Sequence, residues 1–313
     1  AIDSADVPEW RKAVRFGFAL WTFSIWYFPD CIWFTLEAHC MNPVFCIAEV
    51  GSTHDGDRAK MSEAIRVAKD AGADAIKYQW VSSPERLAAR RHAEDYLWAY
   101  RVIAFPREWL AELKAECDAA GIEFMCSVFL PEDIQEIAPL VKRFKVSSFE
   151  SNDVAFIAAH DPYRHHPTMG ADVYPPGGTI RPMILSFGFG GQWKILPAYS
   201  VGLHCVSAYP CPPEQMNLRV ITHRNHGTTI GLSDHSAHPW MGALAVAAGA
   251  EIIEVHFRLP STFPSNPDYG HSFDPDGLAQ YIANARFAEA AMGDGIKNMQ
   301  PSEEPWARYR VRA

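Results

Sequence analysis

VFCIAEVGSTHDGDRAKMSEAIRVAKDAGADAIKYQ, residues 44–79, carries the reading of the fold. It opens on a short apolar run, 44–50, rich in β-branched residues. An alanine-rich stretch, 59–71, follows with helical spacing, and a second short apolar run closes it at 75–79. A period-2 or continuous apolar run of five to seven residues reads as a strand, and a 3.6-period stretch reads as an amphipathic helix. The segment is one strand–helix–strand unit.

Further apolar runs recur at 123–128 (EFMCSV), 143–149 (RFKVSSF), 182–187 (PMILSF), 201–206 (VGLHCV), 229–233 (TIGLS) and 251–257 (EIIEVHF). Helical spacing recurs at 107–120, 131–142, 239–248 and 276–292. Glycines at 72, 121, 249 and 293 end several of these, where a left-handed cap is expected. Eight strands alternating with helices predict a (β/α)8 TIM barrel. A doubly wound open sheet is the rival, but no G-x-G-x-x-G turn follows the first strand. Two regions depart from regularity. Residues 151–181, with His160, His165, His166 and a PPGG turn, read as a long loop; 187–199 is barely long enough for a crossover, so the fifth unit is expected to be irregular.

Composition bounds the rest. A net charge of −9, without a Lys/Arg run longer than a pair, excludes nucleic acid or an anionic membrane as the main partner. Seven cysteines without a C-x-x-C pair fit neither a disulfide framework nor a zinc ribbon, and point to a reducing, cytoplasmic setting. The aromatic-rich segment 14–36 breaks at Pro29-Asp30, short of the ~20 residues that span a bilayer, so a packing role is expected and no membrane partner. The domain reading is an N-terminal extension over 1–41, the barrel over 42–300 and a tail over 301–313.

In a barrel of this kind the active site lies at the C-terminal ends of the strands. Those ends deliver Glu49 and His54, Lys77 and Gln79, Ser127, then Lys145, Ser148 and Glu150. Ser186, His204 and Tyr209 follow, then Ser233, Asp234 and His235, and finally Glu254 and His256. Two inward lysines are costly to bury without an anion, so Lys77 and Lys145 with nearby serines predict a phosphate or carboxylate site; an ion pair with Glu49 or Glu150 is the alternative. His235 and His256, one β/α unit apart, predict a divalent-metal site suited to Mn²⁺, Fe²⁺, Co²⁺ or Zn²⁺, with Asp234 and Glu254 as supporting partners.

The stretches IAEVGSTHDGD, GADAIKYQ, KVSSFES, LHCVSAYPCPPEQMNL, IGLSDHS and GAEIIEVHF, followed by PDYGHSFDP and MGDGIK, resemble the N-acetylneuraminate (sialic acid) synthase family, which includes legionaminic and pseudaminic acid synthases. The resemblance runs from about residue 44 to about residue 310. It implies a metal-dependent condensation of phosphoenolpyruvate with the open-chain aldehyde of an N-acylated hexosamine, giving a nonulosonic acid and phosphate. By this resemblance His235 and His256 are metal ligands, with Mn²⁺ expected and Mg²⁺ or Co²⁺ as alternatives. Lys77, Lys145, Ser127, Ser148, Ser186 and Ser233 hold phosphoenolpyruvate, and Glu49 handles the proton of the attacking water. Glu150, Tyr209 and Asp268 contact the acceptor sugar, Gln79 and His204 position it, and Glu254 belongs to the same substrate-binding set. The catalytic set is Glu49, Lys77, Lys145 and His235.

Members of the family usually carry a C-terminal antifreeze-like domain that pairs barrels and offers an arginine to the sugar. No counterpart is found in these 313 residues, so a homodimer is expected only as an option. The family's S-T-G-M turn after strand five reads Ser186-Phe187-Gly188-Phe189 here. Two other readings follow from these departures: condensation with another aldose or aldose phosphate, and a weakly active paralogue that binds a metabolite or partner.

Overall fold

A computed structural model describes residues 43–164, 180–191, 196–197, 199–222 and 230–311. The chain divides into two units, Ala1–Cys40 and Met41–Ala313. The aromatic-rich segment 14–36 lies outside the described residues, as do His165, His166 and the PPGG turn.

Eight strands, β1 (Phe45–Gly51), β2 (Ala75–Gln79), β3 (Glu123–Ser127), β4 (Phe144–Val146), β5 (Met183–Phe187), β6 (Ser200–Cys205), β7 (Ile230–Asp234) and β8 (Ile252–His256), close into a barrel in sequence order. Neighbours are parallel throughout, and β8 pairs with β1. The expected (β/α)8 barrel is the observed fold.

The first crossover helix, α1 (Arg58–Asp70), starts where the Asp57 side chain accepts from the backbone N–H groups of Ala59 and Lys60. It buries Met61, Ala64, Ile65 and Ala68, an i, i+3, i+4, i+7 stripe, against the sheet. Two helices that the spacing did not predict follow β2: α2 (Pro84–Arg91), capped by Ser83, and α3 (Leu97–Val102). Then comes α4 (Glu108–Ala120), which ends on Gly121 in the left-handed conformation, as its sequence suggests.

The helix expected over 131–142 shrinks to a 3-10 turn, Pro131–Asp133, and α5 (Ile134–Ile137). Pro139 is the reason: it has no N–H to give to the Gln135 carbonyl, so the helical ladder stops at Ala138, which is still in the right-handed helical conformation. Residues 151–181 are not one loop at their start: they form α6 (Val154–Ala158), capped by Asp153, and α7 (Asp161–Arg164). Between β5 and β6 the described residues contain no helix, which agrees with the irregular fifth unit. Then α8 (Arg219–Thr222), α9 (Met241–Ala247) and α10 (Pro275–Met292) complete the ring. Pro301–Tyr309, in the expected tail, winds as an exposed 3-10 helix.

Alternation along the strands sorts side chains into two shells. Ile47, Ala75, Met125, Ile184, Val201, Leu203 and Ile252 pack together and fill the lower barrel. Cys46, Ala48, Ile76, Tyr78, Phe124, Phe144, Leu185, Leu232 and Val255 point outward into the layer shared with the helices. Along the inward rows, one step up from the apolar plug, come Glu49, Lys77, Ser127, Lys145, Ser186, Ser233 and Glu254. All seven are buried. The fold therefore places a charged layer on an apolar floor.

Candidate active site

Register brings this layer together. Glu49 stands opposite Lys77 on one side and His256 on the other, Ser127 opposite Lys145, and Ser233 opposite Glu254. Lys77 Nζ lies 2.5 Å from Glu49 Oε2 and 3.6 Å from Glu254 Oε2, and donates to Ser127 Oγ at 3.2 Å. Lys145 Nζ lies 3.4 Å from Glu254 Oε1 and donates to Ser186 Oγ at 2.9 Å. Ser233 Oγ donates to Glu254 Oε1 at 2.9 Å, and Gln79 Nε2 donates to Glu49 Oε1 at 2.7 Å. The two lysines are thus balanced by Glu49 and by Glu254, not by Glu150. The ion pairing weighed against an anion site is present, with a partner that the sequence reading had assigned to the histidines.

The four charges respond unequally to burial. Burial pushes Glu254 up, but Lys145 and Lys77 with the Ser233 hydroxyl pull it down to about 2, so it is a firm anion. Burial pulls Lys77 down, and the two carboxylates more than offset it. Burial wins at Lys145, which faces Glu254 and also the like charge of Lys77, and its ammonium falls below the ordinary lysine value. It also wins at Glu49, whose carboxyl is raised above the usual range despite Lys77. Glu49 is therefore the carboxylate of the pair that takes a proton more readily.

A second cluster sits on the adjoining rim. His235 Nδ1 is 2.9 Å from the Val206 carbonyl, which fixes that nitrogen as the donor and leaves Nε2 as a lone pair. His256 Nδ1 and His271 Nε2 are buried and make no hydrogen bond. Ring centroids are 5.5 Å apart for His235 and His256, 4.6 Å for His256 and His271 and 6.3 Å for His235 and His271. Burial drives His235 down to about 4 and His256 well below the ordinary imidazole value, so both are neutral near pH 7, the form that binds metals. His256, Asp268 and His271 place one ligand atom each within 4.8 Å of one another. Neutral imidazoles with unsatisfied nitrogens beside a carboxylate fit a divalent ion.

The other expected residues spread around these two clusters. Tyr209 lays its ring 4.3 Å from that of His235 and 5.1 Å from that of His271. Ser148 Oγ meets Ser207 Oγ at 2.8 Å. Glu150 is held by Arg91, whose Nη2 donates to Oε1 at 2.7 Å, on the wall of a cavity of about 370 Å³ lined also by Arg90, Tyr100 and Phe149. Asp268 accepts at Oδ2 from the backbone N–H and hydroxyl of Ser52 at 2.8 and 2.7 Å.

Three placements differ from the sequence reading. His204 follows Leu203, an inward residue, and so faces out of the barrel, where Nε2 lies 2.6 Å from the Met216 carbonyl. Asp234 does not support the histidines. It accepts from the Tyr281 hydroxyl at 2.8 Å and the Ser236 N–H at 2.8 Å, anchoring α10 to β7. His54 accepts from the Gly56 N–H at Nδ1 within its own turn. The sequence reading missed Ser52, Arg91, Ser207 and His271. Of these Arg91 alone lies outside the quoted motifs; Ser52 stands in IAEVGSTHDGD, Ser207 in LHCVSAYPCPPEQMNL and His271 in PDYGHSFDP, three residues after Asp268.

A closed barrel with a lysine–carboxylate layer at its mouth and a histidine cluster beside it places the chain in the (β/α)8 class, with its buried polar groups gathered at the strand ends. The chain belongs to the NeuB family, whose model matches residues 64–167 and 178–297. It is 32% identical to the pseudaminic acid synthase of Campylobacter jejuni, over 80% of this chain and 76% of that protein. It is 28% identical to the human N-acetylneuraminate-9-phosphate synthase, over 84% of this chain and 75% of the other. The crystal structure of the N-acetylneuraminic acid (sialic acid) synthetase of Leptospira borgpetersenii, in complex with citrate, superposes with a TM-score of 0.70 at 27% identity. That match covers 86% of this chain and 92% of the other. The resemblance drawn from the motifs is borne out, and with it the enzyme class, a sialic-acid-type synthase.

Proposed function

We propose that the chain condenses phosphoenolpyruvate with the open-chain aldehyde of an N-acylated hexosamine, giving a nonulosonic acid and phosphate. The observation that carries this reading is the buried pair of lysines, each with a serine hydroxyl, at the mouth of the barrel. Lys77 with Ser127 and Lys145 with Ser186 present two ammonium–hydroxyl couples, Ser233 and Ser148 add further hydroxyls, and together they suit the phosphate and carboxylate of one small polyanion.

Those ammonium groups now face Glu49 and Glu254. Admitting a polyanion turns them toward the ligand and leaves two carboxylates beside added negative charge. Glu49, already raised by burial, takes up a proton, while Glu254 stays ionised and tempers the positive charge of the two lysines, which favours release of product. In the condensation, C3 of the enolpyruvate adds to the aldehyde carbon. Water adds at C2 and phosphate departs. Glu49, oriented by Gln79, gives the proton it took up to the oxygen of the former aldehyde and, once ionised, is placed to take the proton of that water. His235 and His256 would hold Mn²⁺, or Mg²⁺ or Co²⁺ in its stead, and the ion would supply Lewis-acid polarisation of the aldehyde oxygen. Tyr209, Asp268 and Glu150 line the acceptor side, and Gln79 contributes to positioning; His204 acts only through the β6 loop that it ties to Met216.

The five described cysteines are buried thiols and no described helix is long and apolar enough to cross a membrane, which supports a cytoplasmic setting. The 9-phosphate product named for the human relative keeps an aldose phosphate open as acceptor. The test is calorimetric titration of phosphoenolpyruvate into the wild-type chain and Lys145→Ala. Affinity should fall in the variant with its circular dichroism unchanged; equal affinity would remove Lys145 from the anion site.

A further inference from the structure

We infer that His271 and Asp268 join His235 and His256 as ligands of one divalent ion, so that the loop after β8 is fastened to the barrel mouth through it. The inference rests on the metal-dependent reading above and adds two ligands to the histidine pair.

Five observations converge on it. His271 and His256 are only 2% and 6% exposed, and each directs a nitrogen without a hydrogen-bond partner into the same space. An unsatisfied buried polar atom is costly, so two of them facing one another call for a shared partner. Asp268 divides its oxygens: Ser52 holds Oδ2 from two donors, while Oδ1 lies 3.6 Å from His271 Nε2. That separation is too long for a hydrogen bond and is of the size two ligand atoms of one ion show. The loop is also braced from outside, since Asn266 Oδ1 accepts from the Asp268 N–H at 2.9 Å and the Ser272 hydroxyl donates to the Asp268 carbonyl at 2.6 Å.

Gly51 supplies the room. It has φ +54°, and a Cβ there would come within 2.4 Å of Asp268 Oδ2 and 3.3 Å of the His256 ring. Ring spacing agrees as well. With each coordinating nitrogen about 2.1 Å from an ion, two imidazole centroids can stand at most about 6.5 Å apart. The three rings, at 4.6, 5.5 and 6.3 Å, respect that limit pairwise, but the ligand atoms gathered within 4.8 Å of one another are those of His256, Asp268 and His271; His235, held at Nδ1 by the Val206 carbonyl, completes the set by a shift of its ring toward them. Three imidazoles and one carboxylate select Mn²⁺, Co²⁺ or Zn²⁺ over Mg²⁺, which prefers an all-oxygen shell. A simple ion pair between His271 and Asp268 is the competing account, and it leaves His256 Nδ1 without a partner.

The test uses the full chain, stripped with a chelator and titrated with Mn²⁺ or Co²⁺ alone. Pulsed electron paramagnetic resonance of the Mn²⁺-loaded wild-type chain should count three coordinated imidazole nitrogens; two would overturn the inference. His271→Ala and His271→Gln should each weaken Mn²⁺ binding by at least about tenfold and alter the visible spectrum of bound Co²⁺. Unchanged affinity and spectrum would also overturn it. If His235→Ala loses the ion while the His271 variants retain it, the proposed function stands and this inference falls. If the wild-type chain binds neither ion, the metal in both readings falls. The nitrogen count needs no variant, so it decides the matter even where His271→Ala fails to fold.

Discussion

Glu254→Gln isolates the charge that balances the two buried lysines. Glutamine keeps the shape and still accepts from the Ser233 hydroxyl, so the change is confined to one negative charge. Glu254 lies 3.4 Å from Lys145 and 3.6 Å from Lys77, and among the described residues it is the carboxylate paired with Lys145. Removing one partner of a buried ion pair costs about 3–5 kcal/mol. Because Lys77 retains Glu49 at 2.5 Å and both Glu254 contacts exceed hydrogen-bond length, the lower end, about 3 kcal/mol, applies. At roughly 2–4 °C per kcal/mol for a domain of this size, that is a drop of about 6–12 °C in Tm. Differential scanning calorimetry of the chelator-treated chain measures it. Phosphoenolpyruvate should then raise Tm more in Glu254→Gln than in the wild type, since the ligand meets less competing negative charge. A variant that melts with the wild type, and gains no more from phosphoenolpyruvate, would refute both the pairing and the anion site built on it.

Gly51→Ala should destabilise the chain by about 1–3 kcal/mol from backbone strain alone and should weaken Mn²⁺ binding by displacing Asp268 or His256. Normal calorimetric affinity would contradict the cradle described for that glycine. Phosphoenolpyruvate binding near pH 7 should be accompanied by proton uptake at Glu49, because its carboxyl is raised and the ligand adds negative charge beside it; titration in buffers of different ionisation enthalpy measures the uptake, and none is the contrary result. Burial holds His54 and His160 down to about 4, below the ordinary value near 6.5. In that window the unfolded chain binds more protons, so their contribution to stability is present above pH 6.5 and is lost as pH falls toward 4. Urea unfolding at pH 7 and pH 5 should therefore show a smaller pH-dependent loss in His160→Gln than in the wild type; an equal loss would remove His160 from the account.

Much of the fold was legible because each strand is a short run bounded by charged or turn residues, and because the helices show stripes such as Met61, Ala64, Ile65 and Ala68. Where reading failed, local chemistry overrode periodicity. Pro139 truncated the helix expected at 131–142, and Ser83-Pro84 started one in a segment whose charged residues mask its buried Leu87 and Ala88. The inward lysines and serines were legible from alternation, but their balance was not. Which carboxylate faces which lysine depends on register, and register set Glu254 beside Ser233 and within reach of Lys145. His204 shows the converse: its residue type suggested a role, while its one-residue offset from Leu203 turned it to the outer face. Asp268 and His271 lie on a loop after β8, where no periodicity tells which side chains fold back over the barrel mouth.

The most direct test of the central claim is phosphate release from phosphoenolpyruvate by the Mn²⁺-loaded chain, comparing N-acetylmannosamine and a panel of other aldoses and aldose phosphates with no acceptor. The account predicts release that requires both the ion and an N-acylated hexosamine. Phosphoenolpyruvate that binds but releases no phosphate with any acceptor would contradict it and leave a barrel that holds the ligand without turning it over.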